Sequence, residues 1–188
     1  MQIEQTPLAG VLIFTPARFG DDRGFFSESY SAKVLSQHGI DIPFVQDNHS
    51  LSSAVGTIRG LHFQGPPHAQ DKLVRCGKGA LFDIAVDIHR NSPTYGQWFG
   101  TELSFENGRQ LLVPAGFAHG FITRMPDTEI IYKCSDYYAR ETEGAIRWDD
   151  PEIGIDWAVP AEITPLLSEK DAVAGTLAEL DTPFTFEG

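Results

Sequence analysis

Residues 56–76 read GTIRGLHFQGPPHAQDKLVRC, and the fold and chemistry predicted for this chain both start from this stretch. It sets a guanidinium (Arg59), an imidazole (His62) and an ammonium (Lys72) close together, with apolar residues on both sides. Its centre, Gly65-Pro66-Pro67, interrupts regular structure, because proline fixes φ and has no N–H to donate to a strand ladder. We therefore predict two short strands joined by a loop, with a base and two cations on one structural unit.

The length and composition predict a single domain spanning residues 1–188. Hydrophobic residues make up 41% of the chain and aromatic residues 11%, which is ordinary for a globular enzyme. The net charge of −12 argues against a nucleic-acid-binding protein. An anionic ligand must therefore be bound by a local group of arginines and lysines, and residues 59–75 supply such a group.

The first apolar run, GVLIF at residues 10–14, is too short for the apolar part of a signal peptide or for a membrane span. We therefore expect a cytoplasmic protein that does not engage a membrane. The two cysteines, Cys76 and Cys134, lie in apolar strand-like runs, so we expect them to be reduced core residues.

Short β-rich segments separated by Gly, Pro, Asn or Asp, with almost no helical periodicity, predict an all-β sandwich or barrel. The predicted strands are 11–14, 73–75, 79–88, 98–105, 109–113, 117–123 and 129–134. Alternation within 83–88 predicts that residues 83, 85 and 87 lie on one face of the strand, and that residues 84, 86 and 88 lie on the other. A short helix is predicted over 31–38, with Ser31 as its cap and Gly39 at its end, and residues 166–172 are predicted to be a turn leading into a second short helix. The tail from residue 141 is expected to wrap the barrel.

Two spacings are typical of the double-stranded jelly-roll barrel of cupins. Gly56, His62 and Gln64 follow the first cupin motif, but Gln64 stands where the second histidine should be. Residues 108–119 follow the second motif. Because a cupin metal site needs three histidines and a carboxylate around one ion, we expect a jelly roll without a catalytic metal.

The chain as a whole resembles the dTDP-4-dehydrorhamnose 3,5-epimerase family. The motifs that carry the resemblance are DDRGFFSESY (21–30), RGLHFQ (59–64), KLVRC (72–76), SPTYGQW (92–98), QLLVPAGFAHGF (110–121), YKCSDYYA (132–139) and LSEKDA (167–172). The resemblance implies an all-β, cupin-like double-stranded jelly-roll barrel with short peripheral helices and N- and C-terminal extensions. It also implies a homodimer, without metal or cofactor, that inverts C3 and C5 of dTDP-4-dehydro-6-deoxyglucose in dTDP-L-rhamnose biosynthesis.

Four residues are assigned to catalysis by this resemblance. His62 is the base that removes a proton next to the C4 ketone, and Asp171 orients it and stabilises its imidazolium form. Lys72 stabilises the enolate oxygen, and Tyr132 returns a proton on the opposite face of the sugar. These roles suit the reaction, because C3 and C5 both flank the ketone and enolate formation acidifies both C–H bonds.

The resemblance also implies a set of substrate-binding residues. Arg23 and Arg59 would contact the diphosphate, because a planar guanidinium matches phosphate oxygens. The thymidine part would be contacted by Glu28, Gln46, Asp47 and Asn48, with ring faces offered by Phe26 and Tyr138. The resemblance also places His119, Glu143 and Lys170 along the site. Strict strand alternation would put Arg59 and His62 on opposite faces, so a twist or bulge near Gly60 is required.

Three alternatives remain open at this stage. The chain could invert only C3 or only C5, or act on another deoxysugar nucleotide. It could also be a non-catalytic jelly roll that binds a sugar nucleotide, although a binder needs no acid and base pair. A metal-dependent cupin is the third alternative, and Gln64 argues against it.

Overall fold

The fold is two antiparallel β-sheets packed face to face, and the computed structural model describes residues 1–159 and 162–187 of it. Its strands are β1 (Gln2–Gln5), β2 (Leu12–Thr15), β3 (Phe19–Asp21), β4 (Gly24–Phe26), β5 (Gln46–Ser52), β6 (Ile58–Gln64), β7 (Lys72–Lys78), β8 (Ala80–Asp87), β9 (Trp98–Ser104), β10 (Gln110–Val113), β11 (Phe117–Thr123), β12 (Thr128–Cys134) and β13 (Glu143–Ala145). Its helices are α1 (Ala32–Ser36) and α2 (Glu169–Ala172), with 3-10 turns at Arg140–Thr142 and Leu177–Glu179.

Non-consecutive strands pair within each sheet. The six-stranded sheet has the order β1-β2-β10-β7-β12-β5, and the five-stranded sheet has the order β13-β6-β11-β8-β9. Strands β3 and β4 form a separate hairpin. This architecture confirms the predicted jelly-roll barrel. Among the described residues, no helix is both long enough and apolar enough to cross a bilayer.

Apolar side chains fill three layers, which follow from the two-residue period of the strands. The layer between the sheets includes Val74, Leu81, Ala85 and Ile130. A second layer covers the outer face of the five-stranded sheet and contains Ile84, Val86 and Ile88 together with apolar residues of the C-terminal tail. The third layer lies under α1 on the outer face of the six-stranded sheet. The predicted alternation of residues 83–88 and the predicted wrapping of the tail are both confirmed.

The two strands of residues 56–76 do not pair with each other, contrary to their interpretation as one structural unit. Strand β6 belongs to the five-stranded sheet and β7 to the six-stranded sheet. The loop between them, which contains Pro66 and Pro67, therefore crosses from one sheet to the other. As a result, His62 on β6 and Lys72 on β7 lie on opposite walls of the barrel.

A register irregularity in β6 sets the direction of Arg59. Arg59 and His62 are three residues apart, whereas their partners on β11 are two residues apart. Gly60 has a φ of 126°, and a Cβ added there would lie 2.6 Å from the Cα of Gly120. Both facts require glycine at this position. The extra residue turns Arg59 to the side of the sheet that His62 faces, so the irregularity predicted near Gly60 is confirmed.

Both predicted short helices are present and each begins at a serine cap, although α1 ends at Ser36 and not at His38. The backbone N–H of Val34 donates to the hydroxyl of Ser31, and that of Asp171 donates to the hydroxyl of Ser168. The second cap places Asp171 at the inner end of α2, where its side chain is buried. Both cysteines are free and buried, as predicted.

Candidate active site

A cavity of about 190 Å³ opens between the two sheets at one end of the barrel. Side chains of β6 and β13 line one wall, side chains of β5, β7 and β12 line the other, and two loops close the edge. The lining residues are Gln46, Asn48, His62, Phe63, Gln64, Gln70, Lys72, Tyr132, Tyr138 and Glu143. Seven residues of the predicted site therefore meet in one cavity, although they come from distant parts of the sequence.

A histidine–aspartate pair forms the centre of the first wall. The Nε2 atom of His62 lies 2.5 Å from Oδ1 of Asp171. Burial raises the pKa of Asp171, but the hydrogen bond and charge of His62, with donation from Ser168, leave that pKa below its ordinary value. Asp171 is therefore an ionised carboxylate that holds Nε2–H of His62. The other ring nitrogen, Nδ1, is left to accept a proton, as a general base requires.

Lys72 lies on the second wall with its side chain half-buried. Burial lowers the pKa of Lys72, while the charges of Cys134, Asp83 and Glu143 act in the opposite direction. A cation in such a site interacts strongly with a neighbouring anion, because little water screens it. Lys72 can therefore stabilise negative charge that develops on a ligand in the cavity.

Tyr132 lies on the same wall as Lys72 and faces the wall that carries His62. Burial raises the pKa of Tyr132, whereas the Arg59 charge and a hydrogen bond with Asn48 lower it. The hydroxyl is therefore protonated at neutral pH and able to donate. A base and an acid on opposite walls of one cavity can act on opposite faces of a bound substrate.

His119 lies behind the cavity. It is directly opposite His62 in the β6–β11 pairing, and its Nε2 atom is 2.8 Å from Oδ1 of Asp83. Within the described residues, Oδ2 of Asp83 is buried and has no hydrogen-bond partner. Asp83 is not among the predicted site residues, although an acidic residue on the inner face of a predicted core strand was a signal for it.

Glu143 binds two other side chains at the mouth of the cavity. Lys170 forms an ion pair with Glu143, and the hydroxyl of Tyr138 donates to its Oε2 atom at 3.0 Å. Burial raises the pKa of Glu143, but Lys170, Tyr138 and the nearby His62 leave it below its ordinary value. These predicted site residues are therefore brought together on the side of His62.

Gln64 takes the position of the second histidine of a cupin metal site and does not fit a metal. Its amide nitrogen donates to the carbonyl oxygens of His68 and Tyr137, and its amide oxygen accepts from the N–H of Ala139 at 2.8 Å. These hydrogen bonds occupy both ends of the amide and hold the loop that carries Tyr138 against β6. Across residues 1–159 and 162–187, no three His, Cys, Asp or Glu side chains are grouped to hold a metal ion. Activity without metal stays a prediction.

Two members of the predicted binding set lie on strands of the site but do not line the cavity. Arg59 is exposed, and it donates to the Ser52 hydroxyl and to the Leu51 carbonyl at 3.3 Å each. Asp47 points to the opposite face of β5 from its neighbours and pairs with Lys133 at 2.8 Å. Both belong to strands, and the side chains of β5 alternate between the two faces of the sheet.

The remaining predicted binding residues lie away from this cavity. Arg23 and Phe26 line a separate hollow on the β3–β4 hairpin, where Phe26 is 70% exposed. Arg23 pairs with Asp21 at 2.6 Å, and Glu28 is exposed just beyond β4. Within one copy of the chain, the hairpin residues and the His62 cavity therefore do not form one site.

The jelly roll with His62, Asp171, Lys72 and Tyr132 around one cavity defines an isomerase whose chemistry is proton transfer. The chain belongs to the dTDP-4-dehydrorhamnose 3,5-epimerase family, whose sequence model matches residues 5–179.

Individual relatives agree with this assignment. An epimerase of this name from Sinorhizobium fredii is 51% identical over 99% of this chain and 94% of its own length. The crystal structure of the Bacillus anthracis enzyme with TDP and PPi bound has a TM-score of 0.89 and 47% identity, covering 93% of this chain and 98% of that one. A Legionella pneumophila epimerase in complex with dTDP-4-keto-L-rhamnose has a TM-score of 0.91 and 45% identity, covering 96% and 94%.

Proposed function

We propose that this chain inverts C3 and C5 of dTDP-4-dehydro-6-deoxyglucose and so forms dTDP-4-dehydro-L-rhamnose, a step of dTDP-L-rhamnose biosynthesis. The observation that carries the proposal is the placement of the His62–Asp171 pair and Tyr132 on opposite walls of one cavity. The family membership and the overall similarity to enzymes of this name support it.

Each inversion begins with removal of a proton by Nδ1 of His62 from the carbon next to the C4 ketone. The electron pair of the C–H bond forms the enolate, and its oxygen is stabilised by the ammonium of Lys72. Asp171 keeps its negative charge and stabilises the imidazolium through Nε2–H. Tyr132 then donates its hydroxyl proton to the same carbon from the opposite face, which inverts the centre. Proton exchange with solvent restores His62 and Tyr132.

Arg59 is proposed to bind the diphosphate of the substrate. Its guanidinium is exposed and is held on the cavity side of β6 by two hydrogen bonds. Its charge acts to lower the pKa of Tyr132, which supports a position near the proposed sugar site. A guanidinium fixed in this way can form two parallel hydrogen bonds to phosphate oxygens.

A homodimer would reconcile the hairpin residues with the cavity. Arg23, Phe26 and Glu28 can contribute to substrate binding if the hairpin of one copy reaches the cavity of a second copy. The exposed rings of Phe19 and Phe26, which are 68% and 70% accessible, support burial of this hairpin against another surface. A stable monomer of 20.7 kDa in light scattering would contradict this part of the proposal.

A cytoplasmic location is also proposed, and the two free cysteines support it.

Incubation with dTDP-4-dehydro-6-deoxyglucose in heavy water tests the function. We expect deuterium at both C3 and C5 by NMR, together with the inverted product. Deuterium at one carbon alone would establish a single-carbon epimerase, and no deuterium at either would leave the non-catalytic binder.

The same assay after exhaustive chelation should give an unchanged rate, whereas a loss restored by one divalent ion would contradict the metal-free prediction.

Arg59→Ala should weaken the binding of dTDP by about tenfold to a hundredfold, because charge-assisted hydrogen bonds contribute about 1.5–3 kcal/mol. Lys72→Ala should weaken dTDP binding much less, because dTDP lacks the ketone that Lys72 is assigned to contact. Titration calorimetry of both variants compares the two losses directly. Equal losses, or a larger loss for Lys72→Ala, would contradict the assignment of Arg59 to the diphosphate.

A further inference from the structure

Asn48 occupies a special position next to the proposed acid. Strands β5 and β12 pair so that Asn48 lies directly opposite Tyr132, while Gln46 lies directly opposite Cys134. Side chains at directly opposite positions of an antiparallel pair have Cβ atoms about 4.5–5.5 Å apart. Asn48, Gln46 and Tyr132 all line the cavity. Asn48 and Tyr132 therefore lie side by side on the wall of the cavity that faces His62.

A chain of hydrogen bonds determines which end of the Asn48 amide faces Tyr132. The backbone N–H of Tyr138 donates to Oε1 of Gln46 at 3.2 Å, and Nε2 of Gln46 donates to Oδ1 of Asn48 at 3.1 Å. The Nδ2 atom of Asn48 then donates to the sulfur of Cys134 at 3.5 Å. Because a backbone N–H can only donate, it fixes the direction of every bond that follows.

The direction of this chain leaves a donor for Tyr132. An amide nitrogen carries two hydrogens, and Cys134 takes one of those on Asn48, so the second is available to the neighbouring hydroxyl oxygen. Burial raises the pKa of Tyr132, and the hydrogen bond with Asn48 acts to lower it. A donor at this oxygen favours the ionised form of the tyrosine. The amide oxygens of Gln46 and Asn48 both already accept a hydrogen bond. Fewer groups therefore remain to contact a nucleobase.

We propose that Asn48, oriented by Gln46, is a positioning residue for the acid: its amide donates to the Tyr132 oxygen and stabilises the tyrosinate formed when Tyr132 gives up its proton. This inference rests on the proposed function and replaces nucleotide contact as the main role of Asn48. No new bond is made to Asn48, and the proton passes from Tyr132 to the substrate carbon.

The test is the titration of Tyr132 in the free enzyme. Enzyme labelled with 3-fluorotyrosine, which ionises at lower pH, is followed by ¹⁹F NMR, and Tyr132→Phe assigns the signal. We expect Asn48→Ala to move the titration of Tyr132 to higher pH, and Gln46→Leu to move it in the same direction by less. Inversion at C5 should slow by about tenfold to a hundredfold in Asn48→Ala, the loss expected for a hydrogen bond to a charged group. The affinity for dTDP should change less than that rate.

His49→Ala is the matched control, since His49 is the next residue on β5, faces away from the cavity and contacts Glu129 instead. This variant should leave the titration of Tyr132 and the inversion rate unchanged. An unchanged titration in both Asn48→Ala and Gln46→Leu, with weaker dTDP binding, would overturn the inference in favour of nucleotide contact. Failure of the proposed function can be told apart from failure of this inference. If the function is wrong, the parent enzyme shows no turnover, whereas the titration of Tyr132 can still be measured because it needs no substrate.

Discussion

His62→Ala is expected to lower deuterium incorporation at both C3 and C5 by about 10²–10⁴-fold, the contribution usual for a general base. The reason is that Nδ1 of His62 is the proposed acceptor of both protons, and alanine offers no acceptor in its place. Asp171 cannot substitute, because it lies behind the imidazole, with its side chain only 3% accessible. Time courses of incorporation at each carbon by NMR measure the effect.

His38→Ala provides the control, because His38 is an exposed histidine beyond the end of α1 and far from the cavity in the fold. It should incorporate deuterium at the parental rate. The affinity of His62→Ala for dTDP, measured by calorimetry, should remain near that of the parent. Incorporation that falls at one carbon alone would mean that a second base serves the other carbon.

Much of the fold could be predicted because strand patterns are local. The alternation of residues 83–88 depends only on which residues are apolar, and it gave the correct inner and outer faces of β8. Strand β5 was missed, because its outer face is exposed and its inner face lines a polar cavity. Neither face of β5 therefore shows the apolar alternation by which strands are recognised.

The sheet to which a strand belongs could not be predicted from local pattern. Strands β6 and β7 are neighbours in the sequence but lie in different sheets, since the loop between them is long enough to cross the barrel. This partition places His62 opposite Lys72 and Tyr132. The bulge at Gly60 was predictable because Arg59 and His62 were both assigned to the site. Their separation of three residues would put them on opposite faces of a regular strand.

Among the predicted site residues, local strand pattern likewise explains some positions and not others. Asp171 reaches His62 because Leu166, shortly before α2, pairs with Thr57 beside β6. The family resemblance implied this contact, and residue spacing alone could not supply it. Asp47 faces away from Gln46 and Asn48, because consecutive residues of a strand point to opposite faces. Arg23 and Phe26 lie on a hairpin outside both sheets, so no strand pattern of the sheets could place them relative to the cavity.

Tyr132→Phe is expected to fail in a different way from His62→Ala. Phenylalanine keeps the ring and its packing against the layer between the sheets, and it removes only the hydroxyl. His62 and Asp171 lie on the other wall and are unchanged, so proton removal from the substrate should continue. The imidazolium can exchange its proton with solvent and return deuterium to the face from which the first proton came.

The expected result for Tyr132→Phe is therefore deuterium incorporation without inversion, with the inverted product formed at least about tenfold more slowly. NMR distinguishes the two outcomes, because retained and inverted centres differ in their coupling constants. Tyr95→Phe, which alters a tyrosine on the outer surface, should behave like the parent enzyme. If Tyr132→Phe abolishes incorporation as completely as His62→Ala, Tyr132 takes part in forming the enolate. The acid on the opposite wall would then have to be another residue, and the placement of base and acid on opposite faces of the sugar would be wrong.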